Sequence, residues 1–112
     1  DTKLIADIAR DCSISPDDLV RLARAGPHAA DEMLALMSHI GIDPGEVLLQ
    51  HPALFRAMQL RCAKCSAKAR CRRELQNQTA GELFGQYCGN SDDLDTLRTE
   101  PDLHGDRPPH AR

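Results

Sequence analysis

Aromatic residues are scarce in this chain: it has no tryptophan, one tyrosine and two phenylalanines among 112 residues, although 41% of it is hydrophobic. A core made from this sequence therefore depends on Leu, Ile, Val, Ala and Met. No apolar run approaches the roughly eighteen residues that a membrane helix needs, so we expect no membrane span. No run alternates between apolar and polar residues as a strand would. The length suits one small domain.

Catalytic motifs are also absent. The sequence has no hydrolase triad, no glycine loop for binding phosphate and no paired catalytic carboxylates. We therefore expect a protein that is not an enzyme. No secretory signal is visible, and we expect a cytoplasmic location. Because the chain opens at Asp1 without a methionine, export of a chain that has lost its leader stays open.

Signals for helix starts and ends recur along the chain. Four side chains are predicted to cap helix starts: Ser15, Asp43, Thr79 and Asn90. Gly41 stands where a left-handed helix end is expected. The sequence therefore predicts an all-α fold, a single-domain bundle of about five to seven short helices over residues 1–100. Residues 101–112 are polar and rich in proline, and we expect them to form a disordered tail.

Cysteine is the residue type that carries a functional signal. There are five cysteines, and an odd number argues against a framework of disulfides alone. Four of them have the spacing Cys62-x2-Cys65-x5-Cys71-x16-Cys88. On one straight helix Cys71 would lie about 13 Å from Cys62 and on the opposite side. If the first three bind one group, the helix ends near Cys65, residues 66–70 form a loop and Cys71 opens a new helix.

Four thiolates suit either an iron–sulfur cluster or a tetrahedral zinc ion. Structural zinc sites usually have two compact cysteine pairs, whereas this chain has one pair followed by gaps of five and sixteen residues. A larger group held from several sides fits that spacing better. We therefore expect a [4Fe–4S] cluster on Cys62, Cys65, Cys71 and Cys88, with Zn²⁺ as the alternative and a disulfide as a third reading. Cys12 is expected to be a free cysteine packed as a small hydrophobe, although a role as fourth ligand stays open.

Positive charge is concentrated around three of these cysteines. Residues 61–73 contain no acid and six basic residues, namely Arg61, Lys64, Lys68, Arg70, Arg72 and Arg73. We expect them to compensate a negatively charged thiolate centre and to lower the thiol pKa values. Binding of nucleic acid is possible but not favoured, because the whole chain has a net charge of −3. An apolar wall is predicted to shield the centre: Leu60, Leu75, Leu83, Phe84 and Tyr87.

The order of these motifs resembles a known bacterial family. The "LARAGP-AADEML" helix pair, the "GIDP" turn, "C-x2-C-x2-K-x2-C" and "YC-x-N-x3-L" occur between residues 13 and 98 in the order and spacing of domain-of-unknown-function family 6455. The resemblance implies that the family's four cysteines correspond to Cys62, Cys65, Cys71 and Cys88. Gly89 and Phe84 stand where the family more often has proline and tryptophan. Separately, the "C-x2-C-x5-C" triplet resembles the core of WhiB-like proteins, which bind a [4Fe–4S] cluster and regulate transcription.

These features predict a small iron–sulfur protein that transfers electrons to or from a redox partner protein. Two alternatives stay open. One is a redox- or iron-responsive regulatory module, in which loss of the cluster alters binding to a partner or to DNA. The other is a helical interaction domain that zinc holds together.

Overall fold

The computed structural model describes residues 2–11 and 15–104. Within them the chain forms eight α-helices, two 3-10 helices and no strand, so the all-α prediction is confirmed. The α-helices are α1 (Thr2–Asp11), α2 (Pro16–Ala25), α3 (Asp31–His39), α4 (Pro44–Gln50), α5 (Pro52–Ala63), α6 (Lys68–Gln76), α7 (Ala80–Leu83) and α8 (Ser91–Leu97). The 3-10 helices are Phe84–Gln86 and Pro101–His104. The number of α-helices is one above the predicted range, because the four residues of α7 form a separate helix.

Two of the four predicted helix caps are present. The Ser15 side chain accepts a hydrogen bond from the Asp18 backbone at 3.0 Å, and the Asp43 carboxylate accepts one from the Gly45 backbone at 2.9 Å. The predictions for Thr79 and Asn90 are wrong, since neither side chain caps its helix. Both are engaged in tertiary or loop contacts instead, which local sequence signals do not report.

The turn after α3 follows its sequence signal closely. Gly41 has a φ of +87°, the left-handed conformation that a glycine adopts without steric cost. The Ile42 amide donates to the Met37 carbonyl at 2.8 Å, and the Gly41 amide donates to the Ser38 carbonyl at 3.2 Å. This pair of hydrogen bonds is the Schellman arrangement, and it sends the chain directly into α4.

The residues of the hydrophobic core come from the part of the chain that runs from α3 to the second 3-10 helix. Its buried residues are Met33, Leu36, Met37, Ile42, Val47, Phe55, Met58, Ala80, Phe84, Leu94, Leu97 and Leu103. The three methionines lie in this core, as their helical spacing predicts. No residue of α2 is buried, and α2 packs against α1 and α5 at the edge of the molecule. Of the four cysteines predicted as ligands, Cys62 and Cys88 pack against this core and Cys71 is buried.

The boundary predicted for the tail differs from the structure. Pro101–His104 form a 3-10 helix, and the Leu103 side chain is fully buried. The Leu103 carbonyl accepts a hydrogen bond from the Asp43 amide at 2.7 Å, and His104 Nδ1 lies 2.7 Å from the Gly41 carbonyl oxygen. A single apolar side chain therefore anchors a segment that its polar composition assigned to the tail. Residues 105–112 and Cys12 lie outside the described residues.

In the part of the chain that the structure describes, every helix is too short or too polar to cross a membrane.

Candidate metal centre

The four predicted ligands come from four successive pieces of the chain. Cys62 lies in the last turn of α5, Cys65 in the loop that follows, Cys71 within α6, and Cys88 in the turn before α8. The helix break predicted near Cys65 is therefore present. The loop is shorter than predicted, because α6 already begins at Lys68. Cys71 then lies one turn into α6 and faces back toward the end of α5.

One cavity is lined by all four cysteines. The cavity volume is about 30 Å³, and the cavity is partly open to solvent. The remaining lining residues are Glu32, Met33, Leu36, Arg61, Lys68, Tyr87, Gly89 and Asn90. The structure thus brings together the residues that the cysteine spacing singled out, and it adds a wall from α3.

The side chains around the cavity do not converge on a single point. Across the described residues, no group of three or more His, Cys, Asp or Glu side chains is arranged to hold a metal ion. The four cysteines surround a space instead.

Backbone amides point at the sulfur atoms. The Ala67 amide donates to Cys65 Sγ at 3.3 Å, and the Asn90 amide donates to Cys88 Sγ at 3.4 Å. A backbone hydrogen bond from Met33 also lowers the pKa of Cys62. Such N–H donors stabilise thiolate sulfur, and they are among the groups that tune iron–sulfur clusters. The donor set therefore fits a thiolate-bound metal centre.

Burial controls the ionisation of the thiols, contrary to the prediction that neighbouring cations would lower their pKa values. Desolvation is the largest effect on three of them: it raises the pKa of Cys62 to about 11 and raises the pKa values of Cys71 and Cys88. Lys68 lowers the pKa of Cys62, but the burial effect is larger. These three thiols are therefore protonated at neutral pH in the metal-free protein. Metal binding must displace their protons.

The basic residues face the cavity less than the sequence suggested. Only Arg61 and Lys68 line it. Four of the six pair with carboxylates: Arg61 with Asp93 at 2.7 Å, Lys68 with Glu32 at 4.0 Å, Arg70 with Glu74 at 3.7 Å and Arg72 with Glu32 at 3.0 Å. Much of the positive charge is therefore neutralised by acids from elsewhere in the fold. Arg61 and Lys68, the two on the cavity wall, are among these paired residues, so the compensation of the centre by unpaired positive charge is smaller than the sequence predicts.

A comparison with protein families matches the region that contains the four cysteines. The model described as "Family of unknown function (DUF6455)" matches residues 22–100, which include Cys62, Cys65, Cys71 and Cys88. The chain belongs to this family. No curated protein and no solved structure matches the chain. DUF6455 membership thus places the four cysteines and α3–α8 in one family unit, while α1 and the start of α2 precede the matched region.

The predicted apolar wall of this DUF6455 site is mostly wrong. Tyr87 lines the cavity, but the other four predicted residues do not, and Phe84 lies in the hydrophobic core. Met33 and Leu36 supply apolar surface in their place. Both come from α3, about thirty residues before the first ligand. No local signal around the cysteines could have indicated them.

Asn90 is a site residue that sequence reasoning assigned to another role. Its side chain is 2% exposed and lies between two segments that carry ligands. It donates to the Met58 carbonyl of α5 at 3.0 Å, and its amide oxygen accepts from Arg61 at 3.0 Å. Its backbone amide meanwhile donates to Cys88 Sγ. Asn90 therefore ties the turn that holds Cys88 to the helix that holds Cys62.

Proposed function

We propose that this protein binds one [4Fe–4S] cluster through Cys62, Cys65, Cys71 and Cys88 and acts in electron transfer, without an enzymatic activity of its own. The observation that carries the proposal is the single cavity that these four cysteines line. They come from four pieces of the chain, so a bound group is held from several sides. A cysteine at each corner is the ligand set of a [4Fe–4S] cluster.

The cavity supports a cluster over a zinc ion on two grounds. The four thiols line one cavity from four pieces of the chain, so they would hold a bound group from several sides. A cluster is bound at its periphery, so its ligands lie farther apart than those of one zinc ion. The cysteine spacing, with a single compact pair, points the same way. Zn²⁺ is the competing occupant.

The cavity wall is suited to an electron-transfer centre. Arg61 and Lys68 line the cavity, each paired with a carboxylate, and their positive groups lie nearest the site; positive charge there favours the reduced, more negative cluster and so raises its potential. The cavity is partly open, and its lining residue Gly89 is exposed, which gives a redox partner protein access. Reduced thiols and a cluster fit a reducing compartment, and we propose the cytoplasm.

The first experiment is chemical analysis of anaerobically purified protein, with iron, acid-labile sulfide and zinc determined on one sample. We expect a brown protein with about four iron and four sulfide per chain. A colourless sample with about one zinc per chain would contradict the proposal and leave a zinc-held interaction domain.

Ligand variants test which cysteines hold the cluster. Changing any of Cys62, Cys65, Cys71 or Cys88 to serine should reduce bound iron to a small fraction of the native content, because each supplies one corner of the ligand set. Cys12→Ser is the matched control and should retain native iron. A variant set in which Cys12 is required and Cys88 is dispensable would show that the fourth ligand has been assigned wrongly.

Protein-film voltammetry separates a carrier from a regulator. A carrier gives a reversible wave, because its fold is the same in both oxidation states. A regulatory module would lose its cluster in oxygen, and the turn at Cys88 would be released from the cavity. Reversible cycling without loss of iron is the expected result.

A further inference from the structure

Two buried polar atoms have no hydrogen-bond partner among the described residues, and both belong to residues that line the cysteine cavity. They are Glu32 Oε1 and the Tyr87 hydroxyl. The other carboxylate oxygen of Glu32 already pairs with Arg72 at 3.0 Å. The Tyr87 side chain has only one polar atom, its hydroxyl oxygen, so no other atom of that side chain makes a hydrogen bond in its place. Buried hydroxyls in native proteins are nearly always hydrogen-bonded, so this one indicates an acceptor in the cavity that it does not fully engage in the metal-free protein.

The position of the Tyr87 ring is fixed by its surroundings. The Arg70 guanidinium lies over the ring at 4.7 Å from its centroid. Arg70 is held in turn by the Gln86 side chain at 2.6 Å and by Glu74 at 3.7 Å. The Tyr87 backbone amide donates to the Phe84 carbonyl at 3.2 Å. The hydroxyl therefore has a direction set by the fold.

The side chain that acts most strongly on this hydroxyl is Cys71. Cys71 and Tyr87 line the same cavity; burial is the main cause that raises the pKa of Tyr87, and among neighbouring groups Cys71 raises it furthest, ahead of Glu74 and Cys88. Cys71 is also the most buried of the four cysteines, at 7% exposure. In the metal-free protein it is a thiol, which accepts hydrogen bonds weakly. A metal-bound thiolate at the same position is a much stronger acceptor.

We propose that Tyr87 is a positioning residue that donates a hydrogen bond from its hydroxyl to Cys71 Sγ when that sulfur binds the cluster. The inference rests on the cluster proposed above. The bond satisfies the buried hydroxyl and fixes the orientation of the Cys71 side chain. It also withdraws electron density from the sulfur, which stabilises the reduced cluster and raises its potential.

Tyr87→Phe tests this hydrogen bond, because it removes the hydroxyl and keeps the ring under Arg70. We expect the midpoint potential to shift to a more negative value. Loss of iron to a chelator should be roughly tenfold faster, the effect typical of removing a group that supports a metal ligand. Ser66→Ala removes an exposed hydroxyl beside Cys65 that makes no hydrogen bond to any described residue, and it should change neither quantity.

A second modification of Tyr87 should shift the midpoint potential in the opposite direction. Tyr87 is the only tyrosine in the chain, so growth on 3-fluorotyrosine modifies this hydroxyl alone. Fluorine makes the hydroxyl a stronger donor without removing it, and the potential should shift to a more positive value. This measurement tests the hydrogen bond from the Tyr87 hydroxyl even if Tyr87→Phe fails to fold.

The outcomes distinguish this inference from the proposed function. If the native protein contains no iron or sulfide, both fail. Another result is that the native protein contains the cluster while the phenylalanine and fluorotyrosine forms have the same potential and the same rate of iron loss as the native protein. In that case the cluster stands and the role of Tyr87 is overturned. Opposite shifts in the two forms establish the hydrogen bond.

Discussion

At the scale of single residues, Asn90 has more partners around the candidate site than any cysteine. Its carboxamide bridges Met58 and Arg61, and its backbone amide supports Cys88. Asn90→Ala should lower the free energy of unfolding by about 1–3 kcal/mol, because it leaves the buried Met58 carbonyl without this donor. Urea denaturation of the metal-free protein measures the change.

Two further substitutions sharpen that test. Asn90→Asp keeps an acceptor for Arg61 but places a carboxylate against the Met58 carbonyl, so it should also destabilise. Asn77→Ala is the matched control, since Asn77 is exposed and its side chain makes no hydrogen bond. Equal effects of Asn90→Ala and Asn77→Ala would remove the structural role assigned to Asn90.

The buried thiols make the stability of the metal-free protein depend on pH. Burial raises the pKa of Cys62 from 9.0 to about 11, so the fold favours the neutral thiol. Its contribution is present below pH 9 and is lost as the pH rises toward 11. Native metal-free protein should therefore lose more stability over this interval than Cys62→Ala does.

The comparison with Cys62→Ala is needed because other ionisable groups also make stability depend on pH, and they do so in both proteins. Urea denaturation at several pH values, with reductant and chelator present, gives the two slopes. Parallel slopes would mean that ionisation of Cys62 is not linked to folding. The same linkage requires that metal binding releases protons and strengthens as the pH rises.

At the scale of elements, the second 3-10 helix contributes to the core through one side chain. Leu103 is fully buried against the α3–α4 turn, where its carbonyl also accepts from Asp43. Leu103→Ala should lower the free energy of unfolding by about 2–5 kcal/mol, the usual effect of emptying a buried leucine site. Leu49→Ala is the same substitution at a residue that is 77% exposed, and it should change stability by less than about 0.5 kcal/mol.

A small effect of Leu103→Ala, equal to that of Leu49→Ala, would return Pro101–His104 to the tail that composition predicted. The larger effect would show that the folded unit extends at least to His104.

The sequence predicted elements wherever the deciding interaction is local. Ser15 and Asp43 cap their helices because the donor lies two or three residues away, and Gly41 ends α3 through bonds within five residues. The helix break at Cys65 followed from the period of the helix. Leu103 was missed because its partners lie some sixty residues earlier, and polar neighbours dominated the composition around it.

The candidate site, like the helices, could be predicted from the sequence only where local spacing decides it. Cysteine spacing named four residues that line one cavity, although no spacing could name Glu32 or Met33 on α3. The ionisation of the thiols was predicted with the wrong sign, because sequence shows nearby charges but not burial. Asn90 was read as a helix cap, since asparagine before a helix is normally one, and its tertiary bonds depend on how α5 and α8 meet.

At the scale of the whole molecule, the candidate site and the core are one unit. The cavity wall comes from α3, α5, α6 and the turn before α8, and Met33 and Leu36 belong both to that wall and to the core. Helices α1 and α2 lie outside this unit, and two apolar grooves remain between and beside them. A group bound in the cavity therefore acts on the stability of the core more than on these two helices.

This arrangement predicts where a bound cluster stabilises the chain. Loading should raise the melting temperature, because the folded protein binds the cluster and the unfolded chain does not. Hydrogen exchange followed by mass spectrometry should slow at residues 62–71 and 88–94, which the ligands tie together, and at the facing turn of α3. Peptides from α1 and the start of α2 are the internal control and should exchange equally in both forms. Uniform slowing across all helices would show instead that the cluster stabilises one cooperative unit that includes α1 and α2, and unchanged exchange at 62–71 would place the metal away from these cysteines.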